Sequence, residues 1–147
     1  MNTYFINNED TVNKPSVLTP GTIMHFIFGL YFSWIIYPYI DKKNNFISGF
    51  ILVNILHFIY ELKDHLMSYS RAIRKWCKKI PFLTKYIEWS SNNSVYNSIG
   101  DQLFAAFGYI LGYYIVNKYG INLNITILVT LIYMLSLYSA FLFLNTD

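Results

Sequence analysis

The chain has 147 residues, of which 54% are hydrophobic, 20% aromatic and only 13% charged. A soluble domain of this size carries about 25% charged residues, so this chain lacks the polar side chains to cover a globular surface, which argues against a soluble fold. The net charge of +3 comes with no glycine-rich phosphate loop, metal-finger spacing or nucleic-acid motif, and the single cysteine, Cys77, excludes an intrachain disulfide.

Residues 1–20 form a polar N-terminal tail holding Glu9, Asp10 and Lys14. A basic start and a small-residue cleavage site, the marks of a secretory signal, are missing, and Asn2 removes the N-myristoylation pattern. A bilayer core takes roughly 20 apolar helical residues. "GTIMHFIFGLYFSWIIYPYI" at 21–40 meets that length and is closed by Pro38, then Asp41, Lys42 and Lys43. "FISGFILVNILHFIYEL" at 46–62 is a second span, shortened where Glu61 intrudes. Residues 63–97 form the long connection, with Lys63, Arg71, Arg74, Lys75, Lys78, Lys79 and Lys85 among the chain's 11 bases. Within "SRAIRKWCKKIPF", Ile73, Trp76, Cys77 and Ile80 recur at helical spacing, opposite Arg71, Arg74, Lys75, Lys78 and Lys79. This predicts a basic amphipathic helix in the membrane interface, stopped by Pro81 and drawn to anionic lipid head groups. The aromatic stretch "FLTKYIEW" is expected to lie flat beside it. Spans at 98–117 and 121–144 follow; the last has no acidic, basic or histidine side chain.

The expected fold is therefore all-α: an integral membrane four-helix bundle, residues 21–147, with an interfacial basic helix between the second and third spans. Most bases fall on the side shared by both termini and the 63–97 loop; Lys42, Lys43 and Lys118 fall on the other. The positive-inside rule makes the first side cytoplasmic. Trp34, Trp76 and Trp89 read as interfacial anchors, Asp64 and His65 as solvated boundary residues. Asn122, Asn124 and Thr126 simply start the last helix.

Polar residues within the spans share faces. Asn54, His57, Glu61 and Asp64 follow the +3, +4, +3 spacing of one helical face. Ser94, Asn97, Asp101, Ala105, Gly108 and Gly112 form a stripe that turns from polar to small, and Thr22, His25, Gly29 and Ser33 form another. Small residues let helices approach closely in lipid, and polar ones seek partners across the interface. The topology puts His25, Glu61 and Asp101 in one layer, at the cytoplasmic end of the bundle.

"HFIFG", then "YEL", then an acidic helix start followed by small residues and "GYILG" resembles the VanZ-like and YjdF-like small membrane proteins, over about residues 22–112. By that resemblance His25, Gly29, Tyr60, Glu61, Asp101 and Gly108 occupy the YjdF-like pattern positions. Asn97 stands where that pattern has its first acid, and Ala105 where the VanZ-like pattern has Asn. The resemblance implies a polytopic membrane protein, in some cases linked to glycopeptide-antibiotic resistance. "NSVYNSIGD" is also similar to stretches of small membrane proteins from large DNA viruses and protists.

Two functional readings stand side by side. In the first, His25, His57, Glu61 and Asp101 are catalytic or metal-binding, because imidazole and carboxylate together suit a divalent ion. Asn54, Asp64, Asn97, Arg71 and Arg74 then help bind a lipid or polyprenyl phosphate. In the second, the same cluster is a hydrogen-bonded clasp in a non-catalytic structural protein. The expected partner is the lipid bilayer and no nucleic acid is expected; a homo-oligomer, the substrate and the reaction stay open.

Overall fold

The computed structural model describes residues 4–6, 15–39, 45–79, 94–121 and 123–143. It is mostly helical. Helix α1 spans Thr22–Ile36 and runs into a 3-10 turn at Tyr37–Tyr39, where Pro38 has no N–H to extend the ladder. Helix α2 spans Asn45–Tyr69, α3 Arg71–Cys77, α4 Val95–Tyr119 and α5 Leu123–Phe143.

Helix bounds follow caps more closely than charges. Glu61 does not end α2, which continues through Lys63, Asp64 and His65 because none of these breaks a helix. It ends where Ser70 turns to an extended backbone, its hydroxyl accepting from the Ile73 amide at 3.4 Å to open α3. Ser94 does the same for α4, accepting from the Asn97 amide at 3.2 Å, so this helix starts three residues before the expected span. Gly120 closes α4 at φ +71°, a left-handed value that favours glycine.

Among the described residues, two helices are long and apolar enough to cross a membrane, Phe46–Leu66 within α2 and Val95–Tyr119. The 15 residues of α1 span roughly 22 Å at 1.5 Å per residue, less than the ~30 Å of a bilayer core. In α5 the apolar stretch is Asn124–Leu135.

Helix α4 is the centre of the assembly, packed against α1 most extensively and also against α2. The α1–α4 contact is backbone against backbone. A Cβ placed on Gly29 would overlap the Ala105 carbonyl oxygen; one on Gly108, the Phe26 carbonyl; one on Gly112, the Ser33 hydroxyl. Farther along, Trp34, Val116 and Val129 form a small apolar core joining α1, α4 and α5, and Tyr31 stacks on Tyr133 at 4.3 Å. Trp34 is no interfacial anchor: it is buried, and its indole N–H donates to Thr126 Oγ1 at 2.8 Å. Thr126 therefore has a structural task, because an indole N–H inside an apolar core needs an acceptor.

The N-terminal tail also departs from expectation. Tyr4–Ile6 (β1) pairs in parallel with Ser16–Leu18 (β2), Tyr4 opposite Ser16 and Ile6 opposite Leu18. Strand β2 lies on α4, where Gly100 leaves room for the Val17 carbonyl. Ser16 is buried, and its hydroxyl donates to the Leu18 carbonyl at 2.8 Å. Of the basic helix, the described part is α3, with Trp76 exposed; Ile80, Pro81 and "FLTKYIEW" lie outside the described residues.

The α1–α4 contact yields a direct test. Gly108→Val should destabilise the protein by about 1–3 kcal/mol, the usual cost of overpacking, whereas Gly21→Ala, whose Cβ meets only Thr19 Oγ1 at 3.4 Å, should be neutral. Thermal unfolding of the two purified variants beside the parent checks both.

Candidate functional site

Three helices each bring polar side chains to one layer. The first turn of α1 supplies His25, the second half of α2 supplies His57 and Glu61, and the first turns of α4 supply Asp101. Contact between α1 and α4 fixes the His25–Asp101 side of the cluster, and α2 closes it from the other side. His57, Glu61 and Asp101 are buried; His25 is 17% exposed.

His25 lies at the middle. Its Nδ1 is 2.7 Å from His57 Nε2 and 3.5 Å from Glu61 Oε1, and its Nε2 is 3.4 Å from Asp101 Oδ2. His57 Nε2 is 3.7 Å from the same Glu61 oxygen, one turn along α2. The imidazoles meet edge to face with centroids 4.9 Å apart, and the Tyr60 ring lies 6.0 Å from that of His25. Neither Glu61 oxygen, both buried, has a well-formed hydrogen bond among the described residues; the Ser98 side chain offers a weaker one, and Asp101, Asp64 and Lys63 stand within electrostatic reach.

Asn54 belongs to the same network through Gln102, which lies off the polar stripes of the sequence. Gln102 Nε2 donates to Asn54 Oδ1 at 2.7 Å, and Gln102 Oε1 is 3.0 Å from His57 Nδ1. The signal was present: an amide next to Asp101 inside an apolar helix needs partners. Its position, one residue off the Asn97–Asp101–Ala105 stripe, turns it toward α2 instead of α1.

The other candidates fall around this centre. Asp64 is buried, not solvated; Lys63 Nζ stands 3.1 Å from its Oδ1 and 3.8 Å over the Tyr60 ring. Burial follows from α2 continuing past Leu62, which carries Asp64 along the inward face. Asn97 is buried one turn before Asp101. His65 packs on Tyr69 with centroids 4.5 Å apart. Arg71 and Arg74 sit on α3, after the chain has left α2, and are not members of the cluster.

A groove of about 420 Å³ runs beside the cluster between α2 and α4. Exposed apolar side chains, Phe58, Leu62, Ile99 and Leu103 among them, make up most of its wall, and Glu61, Ser98 and Gln102 border it. An apolar trough thus reaches the buried cluster at one carboxylate, Glu61. His25, His57 and Glu61 each offer a metal-ligand atom, and these lie within 4.8 Å of one another.

Comparison with protein-family models, curated proteins and solved structures finds no match for this chain.

The amide chain makes a testable demand. Gln102→Leu should lower stability by about 1–3 kcal/mol, because it strands the His57 N–H and the Asn54 carbonyl away from water. Trp34→Phe, which removes one hydrogen bond and little volume, should cost about 1 kcal/mol. Unfolding midpoints of the purified proteins give both values.

Proposed function

We propose that this chain is a multi-pass membrane protein that receives a lipid or polyprenyl phosphate in the groove between α2 and α4, phosphate toward the His25–His57–Glu61–Asp101 cluster. The observation that carries the reading is the groove itself: an open apolar channel on the outside of the helices that touches the buried cluster at Glu61. A water-soluble substrate has no use for such walls, whereas an amphiphile fills both parts.

The distribution of side chains supports a membrane setting. Only 22% of the apolar window of α2 and 39% of that of α4 is buried, where a soluble core helix would be mostly covered. Ile51, Ile55, Phe58, Ile59, Phe107 and Leu111 face outward, while His57, Glu61, Asp64, Asn97 and Asp101 face inward. Hydrocarbon is the solvent in which that arrangement is stable. On this reading α1, lengthened by the 3-10 turn to Tyr39, and α5 complete a four-span bundle, and the termini and the basic α3 face the cytoplasm. The likeness of "HFIFG", "YEL" and "GYILG" to VanZ-like and YjdF-like proteins agrees with this.

A second reading rests on the chain of contacts from Asn54 through Gln102 and His57 to His25, which ties three helices together. That is what a purely structural clasp would contain. Glu61→Ala and Asp101→Ala separate the two readings. Folded variants that no longer bind lipid phosphate support the site, and loss of folding supports the clasp.

Binding is tested with a photoactivatable polyprenyl phosphate in vesicles holding the protein. We expect crosslinks at Ile99 or Leu103, reduced several-fold by Ile99→Trp, which fills the groove. Labelling unchanged by that substitution and by excess unlabelled lipid phosphate removes the proposal. Topology has its own check: with Cys77 replaced by Ser, Lys75→Cys should react with a membrane-impermeant thiol reagent only after permeabilisation, and Lys42→Cys without it.

A further inference from the structure

A phosphate approaching Glu61 and Asp101 meets two buried acids, and like charges repel strongly in a low-dielectric site. What offsets them follows from the hydrogen-bond directions in the cluster.

The directions start from a backbone carbonyl, which can only accept. Phe50 O lies 2.7 Å from Asn54 Nδ2, so that nitrogen is the donor and Asn54 Oδ1 faces α4. There it accepts from Gln102 Nε2 at 2.7 Å, which leaves Gln102 Oε1 facing His57 Nδ1 at 3.0 Å. An amide oxygen can only accept as well, so His57 Nδ1 holds the proton. A neutral His57 then presents a bare lone pair at Nε2, toward His25 Nδ1 and Glu61 Oε1.

His25 has its own orienting partner in Asp101. A proton on Nε2, facing Asp101 Oδ2 at 3.4 Å, leaves the Nδ1 lone pair facing inward. Two imidazole lone pairs and a buried carboxylate oxygen without a well-formed hydrogen bond then converge on one point. Without a metal ion, the 2.7 Å contact between the imidazoles requires His25 Nδ1 to carry the proton, and the Asp101 contact is then met only by a further buried proton, on His25 Nε2 or on the Asp101 carboxyl. With a cation, every one of these atoms has a complementary neighbour.

We propose that His25 Nδ1, His57 Nε2 and Glu61 Oε1 bind a divalent first-row transition metal ion of the zinc class, with Asp101 and Gln102 as positioning residues behind the two imidazoles. The three atoms are 2.7, 3.5 and 3.7 Å apart. A tetrahedral ion with ligands at about 2.0–2.2 Å separates neighbouring ligand atoms by roughly 3.3–3.6 Å, so the two longer edges are already close to the required size. Opening the imidazole pair by roughly 0.6 Å completes the triangle. Hydrogen bonds from the far ring nitrogens to a carboxylate and an amide oxygen are the usual support of metal-bound histidine. Glu61 borders the groove, which puts the ion beside the arriving phosphate and supplies the positive charge that two carboxylates otherwise deny it. The metal site stands on the cluster geometry alone; only its task toward phosphate rests on the function proposed above.

The test is metal content of the full-length protein in detergent, stripped with a chelator and reloaded with Zn2+ alone. We expect one equivalent retained through desalting, and a Co2+-loaded sample with the intense visible absorption of a tetrahedral site. His57→Ala and Glu61→Gln, judged folded by circular dichroism and size exclusion, should lose the equivalent. Gln102→Leu should weaken Zn2+ binding by 10–100-fold, the usual cost of removing such a support. Should the first two variants fail to fold, Gln102→Leu and Asp101→Asn carry the decision: unchanged affinity in both overturns the proposal. So does a folded parent protein that retains no Zn2+, or His57→Ala retaining the full equivalent. Lipid-phosphate crosslinking is read separately. Zn2+ bound without crosslinking removes only the proposed function, and crosslinking by a protein that takes up no Zn2+ removes only the metal site.

Discussion

Everything at this site depends on how closely two backbones approach. Gly29, Gly108 and Gly112, with Ala105 between them, remove the side chains that would hold α1 and α4 apart, so that Cβ atoms at the three glycines would collide with the facing helix. That approach sets the facing register in which His25 Nε2 lies 3.4 Å from Asp101 Oδ2. Gly100, one residue off that stripe, likewise leaves room for the Val17 carbonyl, so the tail strand also packs closely on α4. Steric absence, not a strong attraction, sets the geometry.

Into that close contact the chain places its least tolerable groups. Buried carboxylates and imidazoles cost stability unless each finds a complement, and the arrangement around His57 meets much of that cost with directional amide bonds from α2 and α4. These bonds fix the tautomer of His57 and so decide which nitrogen faces the cluster. Structural and functional readings of the cluster are not rivals at this level: the amides that join the helices also aim the imidazole. What a clasp alone does not explain is a buried Glu61 that, among the described residues, has no more than a weak Ser98 contact and borders an open apolar groove.

Much of this was legible in the residue order. Spacing of 3 and 4 put Asn54, His57, Glu61 and Asp64 on one face of α2, and that face is inward-facing in the structure. The stripe from Asn97 through Asp101 to Gly112 is buried along its length. Trp34 was misread because a tryptophan late in an apolar segment resembles an interfacial anchor, and nothing local reveals that Thr126 waits 92 residues later to accept its N–H. Gln102 was passed over because it lies one residue outside a regular stripe, and the pairing of β1 with β2 because three-residue strands carry no periodic signal.

By itself, the sequence determined which faces are polar, which positions are small and where helices can begin, because these follow from the periodicity of a helix and the chemistry of single residues. Only the tertiary structure decided that α4 is the central helix, that Asp64 is buried, and that His25 Nδ1 meets His57 Nε2. The reason is physical: periodicity assigns a side chain to a face, but distance between side chains on different helices depends on how near two backbones come. That separation is a property of both surfaces together.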